Sequence, residues 1–263
     1  TQYTCSELPY YKLRTSAFMN QLQRTIKWIQ THRLLSFYLC TAHLLVIALI
    51  FVPNLAPKIS KIMGKEHPNN LVIYNYQSMK TMLGRVARNL DKNTAFFIGD
   101  SLTQGMAVNN ILPYAVNFGI GHDTIAGVLQ RIRTYDSINK MTTVIIMVGI
   151  NDLRKLSIKT AISHYADLLH QLRKLNHVYI HEVLPIDQNI FGKKLQNKIT
   201  LFNQQLFNLT REFSHIKFLR RSSAFIDSTG SLKSTLHLGD GLHLNDKGYD
   251  IWIKQLRKQL NNK

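Results

Sequence analysis

From Leu71 to Leu90 apolar side chains recur at Val72, Tyr76, Met79, Leu83, Val86 and Leu90. That three-to-four spacing predicts a helix with one buried face. The pattern then shortens. Thr94–Ile98 reads Thr-Ala-Phe-Phe-Ile, a continuous apolar run that predicts a buried strand, and Tyr114–Phe118 predicts a second short one. Thr124–Arg133 returns to helical spacing. Thr143–Val148 (Thr-Val-Ile-Ile-Met-Val) is the run expected of a central parallel strand covered on both faces. Ser157–Leu175 predicts a helix, with Ile162, Tyr165, Leu168, Leu169 and Leu172 along one face. A strand at His177–Leu184, a helix at Leu195–Phe213, a strand at Ile216–Leu219 and a closing helix at Asp246–Leu260 complete the series. Alternating strands and helices predict an α/β protein: a central parallel sheet between two helical layers, a three-layer α/β/α sandwich.

A separate pattern stands upstream. Leu34 to Val52 is 19 residues without Asp, Glu, Lys or Arg, closed by Pro53 and Pro57. At ~1.5 Å per residue it would reach ~28 Å, close to the hydrocarbon thickness of a bilayer. A buried core helix is the blander reading. A cleaved signal peptide fits less well, because the run exceeds the ~7–15 residues of its usual apolar region. The expectation is a single transmembrane signal anchor at 34–52, after a basic segment at 1–33. A linker and amphipathic helix would follow at 53–92, with Lys58–Asn70 as the linker, and the main domain at 93–263. Arg24, Lys27 and Arg33 flank one side of the span, and Lys58, Lys61 and Lys65 the other. Charge therefore orients it weakly. The usual arrangement puts the chain in the inner (cytoplasmic) membrane, with everything after Pro53 periplasmic or extracellular. Met19 opens a basic lead-in and is the expected start of translation.

Hydrophobic residues make up 45% of the chain, enough for a sizeable core. The formal charge is +18, and the stretch from Pro53 onward carries +14 of it. Anionic surfaces are therefore favoured neighbours: lipid head groups, acidic glycans or nucleic acid. Both cysteines, Cys5 and Cys40, lie upstream of the main domain. That excludes a cysteine nucleophile or a disulfide within it.

In an open parallel sheet, ligands bind beyond the carboxyl ends of the strands. The chemically capable residues fall there. Gly99-Asp100-Ser101-Leu102 leaves the first strand, and Asn117-Phe118-Gly119-Ile120-Gly121-His122-Asp123-Thr124 the second. Gly149-Ile150-Asn151-Asp152 leaves the central strand, and Asp240-Gly241-Leu242-His243 precedes the last helix. A serine hydroxyl is a poor nucleophile until a base takes its proton. His243 could be that base, and Asp240 could orient it and stabilise its cation. The N–H of Ser101, the Asn151 amide and a backbone N–H from the 119–122 loop could receive an oxyanion. Glycines at 119 and 121 would let that backbone approach a ligand. Taken singly, each motif is more often a turn. Their joint order carries the reading. His122, His181, His215 and His237 lack partners at metal-ligand spacing and read as structural or surface residues. His237 is close enough to Asp240 to be mistaken for the base.

Those four blocks, spanning about Asn93 to Leu260, resemble the SGNH/GDSL hydrolase superfamily. The resemblance implies a flavodoxin-like sheet and a serine esterase or lipase-like acylhydrolase with no cofactor and no metal. Ser101 would be the nucleophile, His243 the base, Asp240 its acid and Asn151 an oxyanion donor. Gly99, Asp100, Gly119, Gly121 and Gly149 would form the supporting loops. The family's second-block oxyanion glycine falls at His122. Its N–H could still serve, but its imidazole would crowd the acyl pocket.

The expected activity is hydrolysis of an acylated envelope glycan, a lipid or a small ester through an acyl-enzyme. Two alternatives stand: an O-acyltransferase using the same residues, and a non-catalytic basic binding module. Nucleic acid is the less favoured partner, because aromatic residues are not interleaved with Lys/Arg clusters. Leu184–Lys194 is the loop expected to shape substrate choice.

Overall fold

The structure is a computed structural model that describes residues 9–51, 68–91, 93–135 and 143–261; the side chains of 9–17, 36, 48–51 and 68–70 lie outside that description. The chain separates into two compact units, Thr1–Pro68 and Asn69–Lys263.

In the first unit, α1 runs Pro9–Thr31 and α2 runs Arg33–Phe51. Leu34, Phe37, Tyr38, Leu44, Leu45, Val46 and Ile47 of α2 are exposed. Among the described residues no helix is long and apolar enough to cross a membrane. The expected span at 34–52 is thus not shown: the side chains of residues 36 and 48–51, and Val52 altogether, lie outside the described residues. Most of the expected linker, 58–67, also lies outside them. Its last three residues belong instead to the next helix, where Pro68 stands at the first helical position and loses no hydrogen bond by lacking an N–H.

The second unit begins with that helix, α3 (Pro68–Arg88). Its expected face packs from Tyr76 onward: Leu83 and Ala87 are buried, Tyr76, Met79 and Val86 lie against the core, as does Leu90 just beyond the helix, while Val72 is exposed. Five strands follow: β1 (Ala95–Gly99), β2 (Ala115–Gly119), β3 (Thr143–Met147), β4 (Val178–His181) and β5 (Ile216–Leu219). All pairings are parallel, in the order β2-β1-β3-β4-β5. The apolar 143–148 run predicted at the centre is the central strand, its residues Val144 to Met147 all buried.

Alternating side chains of each strand face opposite layers. On one face Phe96 stacks on Phe118, which meets Tyr135. That layer contains α5 (Ile125–Ile132), α7 (Ile158–Gln171) and α9 (Lys193–Thr210), packed in a row. On the other face Phe97, Ile145 and Met147 meet Trp252 and Leu256 of α10 (Asp246–Asn261). Trp252 is 1% exposed, and burying a side chain of this size contributes about 1.5–3 kcal/mol or more. Three one-turn helices sit at strand exits: α4 (Ser101–Gln104), α6 (Ile150–Leu153) and α8 (Gln188–Phe191).

The strand order reverses direction between β1 and β3. β1 runs to β2 on one side, and the chain then crosses back to β3 on the other. The connections leaving neighbouring strands part there, which is where an open α/β sheet binds ligands at its carboxyl edge. Ser101 and Asn151 stand at the exits of those two strands.

Candidate active site

Ser101 is the first residue of α4, directly after the β1 exit. The turn is tight. A Cβ at Gly99 would overlap the Met147 carbonyl and the Thr103 hydroxyl, so only glycine lets β1, β3 and α4 close up. The Asp100 carboxylate caps α4 by accepting from the Leu102 N–H at 3.0 Å. From the far end of the helix, the Tyr249 hydroxyl donates to the Leu102 carbonyl at 2.9 Å, and burial pushes its pKa up to about 12. Asn117 Nδ2 donates to the carbonyls of Thr103 and Met106. The serine therefore sits on a turn braced from three sides.

The hydroxyl meets the imidazole. Ser101 Oγ and His243 Nε2 are 2.9 Å apart, although 142 residues separate them in the chain. His243 Nδ1 and Asp240 Oδ2 are 2.5 Å apart. Asp240 Oδ1 accepts the N–H groups of Leu242 and His243, at 3.0 and 2.9 Å. Partial burial pushes the Asp240 carboxyl up, but these three hydrogen bonds outweigh it and hold it below the usual carboxylate range. An ionised Asp240 accepts only, so the Nδ1 it faces carries a proton and Nε2 is free to take one.

The residues expected to receive an oxyanion lie as follows. Gly121 N–H donates to Gln104 Oε1 at 2.7 Å, tying the second loop to α4. His122 is exposed and has φ 64°, a left-handed conformation that a non-glycine residue adopts at a cost of roughly 1–2 kcal/mol. A histidine thus occupies the backbone conformation that glycine would hold. Among the described residues neither the His122 N–H nor the Ser101 N–H has a hydrogen-bond partner. Asn151 Nδ2 donates to the Asp123 carbonyl at 2.9 Å. That nitrogen carries a second hydrogen. Gly149 stands at φ 140°, a conformation open to glycine, and turns the chain so that Asn151 follows.

A Cβ at Gly119 would overlap the Gln104 backbone, and one at Gly121 would come 3.1 Å from Gln104 Oε1, so these glycines let the second loop lie close against α4.

His237 and His181, read from the sequence as structural or surface residues, are structural, and the structure shows what they hold. His237 is buried. Its Nε2 faces Asp187 Oδ2 at 3.3 Å, and its Nδ1 accepts from the N–H groups of Gly239 and Gly241 at 3.0 and 3.1 Å. It clasps the loop that carries Asp240 and His243. His181 is buried between the Glu182 carbonyl and the Trp252 indole N–H, and burial lowers its pKa, which keeps it neutral. Beneath the His122 loop lies an ion pair that is wholly buried. Arg131 Nε donates to Asp123 Oδ2 at 2.7 Å, and both side chains are 0% exposed. Arg131 also reaches Tyr135 and the Gly99 carbonyl, while Tyr76 of α3 donates to Asp123 Oδ1 at 3.0 Å. Among the described residues no group of His, Cys, Asp and Glu is arranged to hold a metal ion.

A family model for GDSL-like lipase/acylhydrolase proteins matches residues 97–251, which run from β1 into α10 and enclose Ser101, His122, Asn151, Asp240 and His243. The chain belongs to that family. It is accordingly a carboxylic ester hydrolase. The platelet-activating factor acetylhydrolase IB subunits alpha2 of Bos taurus and Homo sapiens are each 27% identical over 171 residues, which cover 62% of this chain and 73% of theirs. A GDSL-like lipase from Bacteroides thetaiotaomicron superposes with a TM-score of 0.59 at 19% identity, over 69% of this chain and 96% of that one. An acetylxylan esterase from Geobacillus stearothermophilus, solved as a catalytic mutant, gives 0.55 at 16% identity, over 65% and 95%. At these identities the two solved structures share the fold.

Proposed function

We propose that Ser101, His243 and Asp240 form the reacting relay of this esterase and that it cleaves short acyl esters. The observation that carries the proposal is the 2.9 Å approach of Ser101 Oγ to His243 Nε2, with Asp240 held on the opposite ring nitrogen. The Ser101 oxygen attacks the ester carbonyl while its proton passes to Nε2, and the Asp240 carboxylate stabilises the imidazolium formed. The carbonyl oxygen becomes an oxyanion, received by the N–H groups of Ser101 and His122 and by the Asn151 amide. The intermediate collapses to an acyl-serine, and His243 gives its proton to the departing alcohol oxygen. A water, deprotonated by His243, then attacks the acyl-serine, and the carboxylic acid leaves as Ser101 regains its proton.

The mammalian relatives and the acetylxylan esterase both have an acetyl ester in their names. That favours a short acyl group here, on a sugar or a lipid. The test is Ser101→Ala in the full chain. Turnover of p-nitrophenyl acetate should fall at least ~10³-fold with the circular dichroism unchanged. Wild-type-like turnover by the variant would remove the serine from the mechanism.

Anchoring belongs to the same proposal. The 34–52 segment holds the chain in the inner membrane, with the hydrolase unit on the outer side. The exposed apolar side chains of α2 support this. Alkaline carbonate extraction and protease protection of spheroplasts check it. Release by carbonate would remove the anchor, and protection of the hydrolase unit would reverse the orientation.

A further inference from the structure

A cavity of about 440 Å³ opens at the same carboxyl edge as Ser101 but two strands away. Its floor is Glu182 and Val183, just beyond β4. One wall is Arg220 and Arg221, just beyond β5, and the other is the Asn203–Phe207 turn of α9. Its size falls in the ~300–1,000 Å³ range of ligand sites.

Thr200, Gln204 and Asn208, on the exposed face of α9, present a hydroxyl and carboxamides to the cavity. Arg221 is matched: its Nη1 and its backbone N–H both donate to Glu182 Oε1 at 2.8 Å. Its Nε, however, is buried and has no partner among the described residues. An orphaned buried donor costs about 1–3 kcal/mol. Arg220 is not matched. Its guanidinium lies 4.5 Å from the Phe207 ring centroid and 5.5 Å from that of Phe218, and no carboxylate pairs with it among the described residues. Two rings hold the cation, and with no carboxylate partner among the described residues it stands as a receiver for one.

The cavity wall also leads to the reacting loop. After Val183 and Pro185 the chain reaches Ile186, whose N–H is held by Gln196 of the cavity at 3.0 Å. The next residue, Asp187, donates its N–H to the Gly241 carbonyl at 2.8 Å and takes His237 on its carboxylate. One segment thus borders the cavity at one end and the Asp240–His243 loop at the other.

We propose that this cavity is a subsite for a carboxylate-bearing sugar unit, so that the ester substrate is an acylated acidic polysaccharide. Arg220 receives the carboxylate, and Gln204, Asn208 and Thr200 receive hydroxyls. The inference rests on the esterase reading and adds the substrate class. The charge of +14 from Pro53 onward draws such a polymer in.

The experiment compares O-acetylated polygalacturonate with neutral O-acetylated xylan on the full chain in mild detergent. The kcat/KM ratio, acidic over neutral, should exceed one and fall with added salt. In Arg220→Ala that ratio should drop about tenfold, the worth of one charge-assisted contact, through KM rather than kcat. Arg220→Lys should restore it only in part, because the fork is lost. In Ser101→Ala, which needs no turnover, saturation-transfer NMR should show galacturonate trimer binding that Arg220→Ala abolishes. Trimer binding unaffected by Arg220→Ala, or an unchanged ratio, overturns the subsite. Absence of p-nitrophenyl acetate turnover by the wild-type chain would instead overturn the esterase reading and leave the NMR arm to decide the subsite.

Discussion

Asp100, the residue before the serine, should make the fold weaker as the pH rises. Its carboxyl is 0% exposed; Oδ1 caps α4, and Oδ2 has no partner among the described residues. Burial pushes its pKa from 3.8 up to about 7, against the cap from Leu102, and the carboxylates of Asp123 and Asp152 add to the rise. Tyr249 and Tyr165 are the other titratable groups that feel it. Below pH 4 the carboxyl is protonated whether the chain is folded or not. Between pH 4 and 7 the unfolded chain releases the proton and the folded one keeps it, so folding stability falls. Above 7 the full penalty is present. An interval of about three pH units at ~1.36 kcal/mol each amounts to roughly 4 kcal/mol. Asp100→Asn cannot ionise and carries only a fixed cost. The stability difference, variant minus wild type, should therefore grow by about 4 kcal/mol from pH 4 to pH 8. Urea titrations of the full chain in mild detergent, read through Trp252 fluorescence in a Trp28→Phe background, measure it. A difference that stays flat across that range would refute the reasoning.

Arg131→Met should destabilise the hydrolase unit by about 3–5 kcal/mol, because it strands the buried Asp123 carboxylate; the same urea titration at pH 7 reads it, and a loss under ~1 kcal/mol would mean that Asp123 finds another partner or a proton. His237→Ala removes the acceptor for two loop N–H groups and should lower kcat for p-nitrophenyl acetate by about 10²-fold through displacement of His243, with KM nearly held. Asn151→Ala should lower kcat about 10²–10³-fold, and it also frees the Asp123 carbonyl. An unchanged kcat would take Asn151 out of the oxyanion hole.

The architecture was legible where burial leaves a continuous signal. Val144 to Met147 are buried on both faces of the sheet, so the sequence shows an unbroken apolar run there. The amphipathic face of α3 was equally plain from Tyr76 to Val86, whereas Val72, read as part of it, is exposed. The one-turn helices at Ser101, Ile150 and Gln188 were not, because four residues carry no period. At the site, Asp240 and His243 are three residues apart and could be paired by eye. His237 and Asp187 are 50 apart, and nothing local marks them as partners. Arg131 near the end of an amphipathic helix reads as a solvated charge. Only the fold shows it enclosed, held by an aspartate eight residues earlier that itself looked like part of a turn. The strained backbone at His122 needed its dihedral angle.

Tyr76 and Asp123 join two stretches that a motif search would keep apart. The family match starts at residue 97, whereas α3 starts at Pro68 and already contributes Leu83 and Ala87 to the core. A recombinant fragment trimmed to the matched stretch would strip a hydroxyl from a sealed carboxylate and lay bare the surface on which α3 rests. The cutting point for a well-behaved fragment is therefore ahead of Asn69, and an inactive shorter product would report a misplaced boundary rather than a missing activity.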